Sequence, residues 1–144
     1  MVITDRYDHS LDDKNRLAIP SQVRNALTPE VDGICFYVVP KNRYLELVPE
    51  KLFISSSAQF QSGLEVDEQL AKKKRRIFAS ATRVEIDKAG RVCIPDRYIA
   101  GSKTQGDLPK VSLGKDVALV GVGDRLELWN RSEYDVHYAE IMAG

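Results

Sequence analysis

A short signature occurs twice in this 144-residue chain and constrains its fold more than any other feature. Residues 11–20 read LDDKNRLAIP, and residues 86–95 read IDKAGRVCIP. A shift of 75 positions superposes the Asp, the Arg, the flanking apolar residues and the Pro, and it places Asn15 on Gly90. A second match follows each copy, Leu-Glu-Leu-Val at 45–48 and Leu-Glu-Leu-Trp at 126–129. The chain is therefore an internal duplication of a supersecondary unit of about forty to fifty residues.

Each signature predicts a β-hairpin. Polar and apolar residues alternate through residues 82–86, and a short apolar strand follows at 91–94 after a four-residue gap. A type I turn that closes in the left-handed region favours Asp at its start and Gly or Asn at its end. The Arg after each turn, Arg16 or Arg91, is expected at the first position of the returning strand, with its side chain reaching outward. The turn pairs are Asp12 with Asn15, and Asp87 with Gly90.

Both halves of the chain predict the same order of elements: strand, turn, strand, short helix, strand, strand. The first short helix, at 21–27, ends before Thr28-Pro29 because a residue that precedes Pro disfavours the α region. Residues 102–115 are polar and predict a surface loop inserted in the second half. Further helices are predicted over 49–60, over 64–81 and from 131 onward. The predicted organisation is a first module at 5–51, a helical connection at 52–80, a second module at 81–131 and a C-terminal helix at 132–144.

Composition favours a soluble cytoplasmic protein. Apolar residues make up 43% of the chain, and no stretch approaches the roughly 18 consecutive apolar residues that a membrane span needs. The first residues lack the basic and apolar regions of a signal peptide. Cys35 and Cys93 are isolated, without CxxC spacing, and both lie in apolar strand-like runs. They are predicted to be buried free thiols.

Charge is distributed unevenly along a chain whose net charge is zero. Residues 72–91 contain eight basic and two acidic residues, whereas residues 124–144 contain two basic and five acidic ones. The zero net charge argues against a protein that coats nucleic acid indiscriminately. The basic run at 72–76 follows acidic residues at 65–68, which is the distribution that complements a helix dipole. A nucleic-acid contact is the second interpretation of this run.

The sequence offers little support for an enzyme. Its two histidines, His9 and His137, lie at opposite ends of the chain, on a predicted strand and on the predicted terminal helix. Neither belongs to an HxxxH, HExxH or GxSxG context. We therefore predict no catalytic residue, no metal site and no cofactor.

The duplicated signature, the segment KRRIFA at 74–79 before its second copy and LELW after it resemble the MraZ family over nearly the whole chain. The resemblance implies a bacterial transcriptional regulator with an α+β, β-rich fold. It would contain a double-split, swapped-hairpin AbrB-like β-barrel, formed from two tandem βαββ repeats (SpoVT-AbrB-like modules) with connecting and C-terminal helices. It also implies ring-shaped homo-oligomers, association with the nucleoid and binding to direct repeats of double-stranded DNA upstream of division and cell-wall genes.

The family's DNA contacts lie in the first signature, so the resemblance assigns them here to Lys14, Asn15 and Arg16. Lys88 and Arg91 are equivalent in type in the second signature, although Lys88 is displaced by one position from Lys14. An Arg can clamp phosphate or the edge of guanine, and a Lys adds a point charge for the backbone. The alternative role of each Arg is a structural link to the Asp of its own turn. Asn15 stands where the family usually has Gly, and its amide could contact a base or cap the loop. An AbrB-like antitoxin and a small β-barrel enzyme are alternative functions.

Overall fold

The computed structural model describes residues 2–60, 67–100 and 111–144, and its described strands form two antiparallel sheets. Six strands follow the order β1-β7-β8-β4-β3-β5, and β2 pairs with β6 in a separate two-stranded ribbon. The strands are β1 Arg6–Ser10, β2 Arg16–Ala18, β3 Cys35–Pro40, β4 Tyr44–Pro49, β5 Thr82–Glu85, β6 Arg91–Cys93, β7 Asp116–Gly121 and β8 Leu126–Asn130.

The two halves of the chain exchange their first strands. Strand β1 of the first half pairs with β7 of the second, and β5 of the second half pairs with β3 of the first. Strands β4 and β8, which follow the two signatures, pair at the centre of the sheet. Exchanging each strand with its equivalent in the other half therefore gives the same strand order, read from the opposite edge of the sheet. The duplicated sequence produces a pseudo-twofold arrangement of strands, and the predicted α+β class is confirmed.

Helices connect and flank these strands. They are α1 Ser21–Ala26, α2 Pro29–Asp32, α3 Glu50–Ser57, α4 Glu68–Lys74 and α5 Arg131–Ala143, with 3₁₀ turns at Ala58–Phe60 and Asp96–Tyr98. Helix α4 is capped at its N-terminus by Asp67, whose carboxylate accepts a hydrogen bond from Leu70 N (2.8 Å), and it continues as a π-helical turn over Arg75–Ala79. The helix predicted over 64–81 is confirmed from 68 to 79, and residues 64–66 lie outside the described part. None of the helices in the described ranges is long and apolar enough to cross a membrane.

The β2–β6 ribbon covers the core with one of its faces. Leu17 and Val92 are directly opposite each other and are buried, together with Ile19 and Ile94 just beyond the strands. They pack in one cluster with apolar residues of the six-stranded sheet. Since side chains alternate across a strand, the neighbours of these residues occupy the outer face of the ribbon.

One cysteine prediction is wrong. Cys35 is buried, and burial raises the pKa of its thiol to about 11, so it is protonated at neutral pH. Cys93, also a free thiol, is exposed instead. It lies next to the buried Val92 in β6 and therefore shares the outer face of the ribbon with Arg91.

The prediction of a surface loop over 102–115 is wrong for the end of that segment. Val111 and Leu113 are buried in the core, and Leu113 N donates a hydrogen bond to Tyr98 O (2.8 Å). Residues 102–110 lie outside the described part of the chain. The end of the segment is therefore part of the core, because its two apolar side chains belong to the same buried cluster as Tyr98 and Ile99.

Candidate nucleic-acid interface

The β2–β6 ribbon brings the two signatures together. Arg16 lies opposite Cys93, and Ala18 lies opposite Arg91. The pairing extends beyond the strands, since Ile94 N donates to the carbonyl of residue 15 (2.8 Å) and Ile19 N donates to the carbonyl of residue 90 (2.9 Å). The loops at 12–15 and 87–90 consequently flank the ribbon at opposite ends, and both arginines project from its outer face.

Both loops have the predicted turn geometry, but the predicted hairpin ladders do not form. The strands before and after each turn pair with other strands: β1 with β7, β5 with β3, and β2 with β6. In the first, Asn15 N donates to Asp12 O (2.9 Å), and Asn15 has a left-handed backbone with φ of 61°. In the second, Gly90 N donates to Asp87 O (2.9 Å), and Gly90 has φ of 79°. Each Asp side chain also accepts two backbone N–H groups of its own loop, which explains the Asp at both turn starts.

Each signature arginine pairs with the Asp of its own turn. Arg16 Nε donates to Asp12 Oδ2 (2.6 Å), and Arg91 Nε donates to Asp87 Oδ2 (3.2 Å). Arg91 Nη1 also lies 3.9 Å from Asp12 Oδ2, so the first carboxylate faces both guanidinium groups. The structural link considered for each Arg therefore exists. About a third of each side chain remains exposed, 32% for Arg16 and 34% for Arg91, and thus accessible to a ligand.

These contacts keep the two carboxylates ionised. The backbone N–H of Arg16, with its guanidinium group, lowers the pKa of Asp12 to about 2. The backbone N–H of Arg91 lowers the pKa of Asp87 in the same way. Both carboxylates are therefore negative at neutral pH. They hold the guanidinium groups in place and neutralise part of their charge.

Both ends of the Asn15 amide make hydrogen bonds within the protein. Its Nδ2 donates to Asp96 Oδ1, and its Oδ1 accepts a hydrogen bond from Lys115 Nζ (2.6 Å). Lys115 Nζ also donates to the carbonyl of Asp12 (3.3 Å). In this geometry the amide caps the loop, one of the two roles considered for it. Sequence reasoning missed Asp96 and Lys115, which lie 81 and 100 positions away from Asn15.

The second loop is supported differently. Arg24 of α1 donates from Nε to Ile19 O (3.1 Å), and its guanidinium group lies against Gly90. A Cβ at position 90 would come within 2.8 Å of Arg24 Cζ, so the absent side chain leaves space for this cation. Arg24 is a further basic residue that sequence reasoning missed, because its position on a short helix gave no indication that it contacts the loop.

Lys14 and Lys88 add two exposed ammonium groups to the site. Both are exposed, and within the described part of the chain neither ammonium group has a hydrogen-bond or ion-pair partner. The site is thus a two-stranded ribbon with two arginines on its outer face and an exposed lysine in the loop at each end. The major groove of B-DNA, about 12 Å wide, admits a two-stranded ribbon. Lysines at the ends of such a ribbon are suited to contact phosphates.

Comparisons with known proteins agree on one family. Residues 77–143 match the family model described as "MraZ protein, putative antitoxin-like". A relative from Mesoplasma florum, named "Transcriptional regulator MraZ", is 33% identical over 94% of this chain and 84% of its own length. Proteins with the same name from Mycoplasma mobile and Chromobacterium violaceum are 35% and 34% identical, over 90% and 93% of this chain and 80% and 84% of their own lengths.

The chain belongs to the MraZ family. The family model includes the second signature with Lys88 and Arg91, and the matches to individual MraZ relatives extend over nine tenths of the chain or more. These relatives are named as regulators of transcription rather than as enzymes. His9 in β1 and His137 in α5 occupy the predicted kinds of element.

Proposed function

We propose that this MraZ-family protein is a sequence-specific DNA-binding transcriptional regulator, and that the outer face of the β2–β6 ribbon is its DNA-binding surface. The observation that carries the proposal is the position of Arg16 and Arg91 on one face of the ribbon, with an exposed lysine in the loop at each end. The names of the relatives support the same function.

The five signature residues have different roles in this proposal. Arg16 uses the exposed nitrogens of its guanidinium group to contact a guanine edge or a phosphate, while Asp12 holds its Nε. Lys14 and Lys88 contact phosphates as point charges. Asn15 acts through loop geometry, since both ends of its amide are already engaged. Arg91 is the least free of the four cationic residues, because two carboxylates lie close to it.

The finer features implied by the family are part of the same proposal. The two signatures belong to SpoVT-AbrB-like modules at 5–51 and 81–131, joined by the 52–80 connection and followed by the 132–144 helix, and together they form a swapped-hairpin barrel. The strand exchange between β1 and β5 supports this arrangement. A ring-shaped homo-oligomer would present several ribbons to spaced direct repeats upstream of division and cell-wall genes. Avidity would then supply affinity that a chain of zero net charge cannot obtain from one weak site.

The experiment is a gel-shift titration at fixed salt with the upstream region of the chain's own gene, with its repeats intact or scrambled. Arg16→Ala should abolish binding to the repeats while native mass and circular dichroism remain unchanged. Arg43→Ala, which removes an exposed arginine from the turn between β3 and β4, is the matched control and should bind normally. Unchanged repeat binding by Arg16→Ala would refute the assignment. A monomeric mass for the native protein would refute the ring.

A further inference from the structure

We infer that a second basic surface binds phosphates of the same DNA beside the first loop. It is formed by Arg97 and by three residues of the α4 segment, which we define as α4 with the π-helical turn that continues it (68–79): Lys72, Lys73 and Arg76. We call it the flanking basic surface. The inference rests on the proposed DNA-binding function. It adds a phosphate-binding surface outside the two signatures, and this surface gives the basic run at 72–76 a role beyond the helix dipole.

The charges of this surface are not compensated within the described part of the chain. The α4 segment contributes one ion pair, between Arg75 and Glu68 at 3.2 Å, and both of those side chains are mostly exposed, at 65% and 73%. Such an exposed pair contributes little. Lys72, Lys73 and Arg76 are exposed, and their cationic groups have no carboxylate partner among the described residues. Uncompensated neighbouring cations favour the binding of a polyanion.

Arg97 is held in place without being neutralised. Its Nη2 donates to Thr82 Oγ1 (2.7 Å), and its guanidinium carbon lies 4.6 Å from the centre of the Tyr98 ring. No carboxylate lies within ion-pair distance of Arg97 among the described residues. Both of its contacts are with neutral groups, so the full positive charge stays on the surface.

Hydrogen bonds place this surface beside the first loop. Ser80 Oγ donates to Arg76 O at the end of the α4 segment, and Tyr98 OH donates to Ser80 O (3.3 Å). The 3₁₀ turn that contains Tyr98 begins at Asp96, which accepts the hydrogen bond from Asn15. The end of the basic helix, the 3₁₀ turn and the first loop are therefore successive neighbours, with Arg97 in the middle position.

DNA bound at the first loop would place phosphates within reach of this surface. One turn of helix rises about 5.4 Å, so the Lys72 and Arg76 positions differ by little more than one turn. Duplex DNA has one phosphate charge per roughly 1.7 Å of its axis. A duplex on the ribbon therefore offers several phosphates over a length comparable to the distance between these two positions. Contacts to phosphates carry no sequence information. The flanking basic surface should therefore strengthen binding to all sequences equally.

The test compares the salt dependence of binding for the double variant K72Q/R76Q with the wild type, on duplexes with intact and with scrambled repeats. The matched control, K41Q/R43Q, removes two charges from the turn between β3 and β4. K72R/R76K keeps the charges of the tested pair. Gln has a helix propensity close to those of Lys and Arg, so α4 should be retained, which circular dichroism checks.

Each phosphate contact contributes about 0.9 to the magnitude of the slope of log K against log salt, so K72Q/R76Q should reduce that magnitude by about 2 per bound protomer on both duplexes. K41Q/R43Q and K72R/R76K should keep the wild-type slope. An unchanged slope for K72Q/R76Q, or an equal change for K41Q/R43Q, would overturn the inference. The proposed function would nevertheless stand if Arg16→Ala lost its binding to the repeats. Failure of Arg16→Ala to alter binding would instead refute the ribbon as the DNA site.

Discussion

Substitutions at Asn15 test whether this residue serves the first loop through its backbone conformation as well as its amide. Asn15 has φ of 61°, and its amide joins Asp96 to Lys115. Both Asn15→Gly and Asn15→Ala remove these two hydrogen bonds. A net value of roughly 0.5–1.5 kcal/mol for each bond gives a loss of about 1–3 kcal/mol in the free energy of unfolding for either variant.

The two variants differ in the cost of the backbone conformation. Ala is strained in the left-handed region by roughly 1–2 kcal/mol, whereas Gly adopts it without a steric penalty but loses more conformational entropy on folding. Asn15→Ala should therefore be less stable than Asn15→Gly by about 1 kcal/mol. In a chain of this size that difference corresponds to roughly 3 °C in the midpoint of thermal unfolding.

Thermal and urea unfolding at pH 7, followed by circular dichroism, would measure this order. Asp13 is a matched control because it is exposed, lies in the same loop and does not have a positive φ. At position 13 the order should be reversed, with Asp13→Gly less stable than Asp13→Ala. If Asn15→Ala proved as stable as Asn15→Gly, the backbone argument for Asn15 would be refuted.

Two further predictions concern the ribbon and its ionised carboxylate. Leu17→Ala should lower the free energy of unfolding by about 2–5 kcal/mol in urea titrations, because Leu17 is fully buried; a loss below about 1 kcal/mol would contradict its place in the core. The folded pKa of Asp12 is about 2, below its ordinary value of 3.8, so its stabilising contribution is present above about pH 4 and is lost as the pH falls toward 2. The unfolding midpoint of the wild type should therefore decrease more steeply over this range than that of Asp12→Asn, and parallel curves would contradict the role given to the carboxylate.

The local features of the signature could be predicted because the chemistry of a turn is local. Asp12, Asn15, Asp87 and Gly90 all occupy the positions that their conformational preferences indicate. The exposure of Cys93 could also have been predicted from the amino-acid sequence. Strand alternation places it on the face opposite Val92, but its apolar neighbours led to the prediction of burial.

Contacts between distant segments could not be predicted. The exchange of β1 and β5 between halves depends on which strands pair, and the apolar patterns of β3 and β7 do not distinguish one partner from the other. The same limit applies to Lys115, which reaches the first loop from a position next to β7. Repetition in the sequence indicates equivalent elements, but only the packing of the core decides whether equivalent elements pair within a half or between halves.

The two loops are unequal, and this inequality bears on the kind of DNA site proposed. A ribbon with identical loops would present the same charges after a half-turn about its pseudo-twofold axis, and such symmetry matches inverted half-sites. Here the first loop has Asn15 tied to Asp96 and Lys115, whereas the second has Gly90 beneath Arg24. The two ends of the ribbon are therefore different, and the ribbon has a defined orientation along its length. A directional ribbon binds in one orientation, and protomers that all bind in the same orientation require sites repeated in the same direction, which supports the proposal of direct repeats.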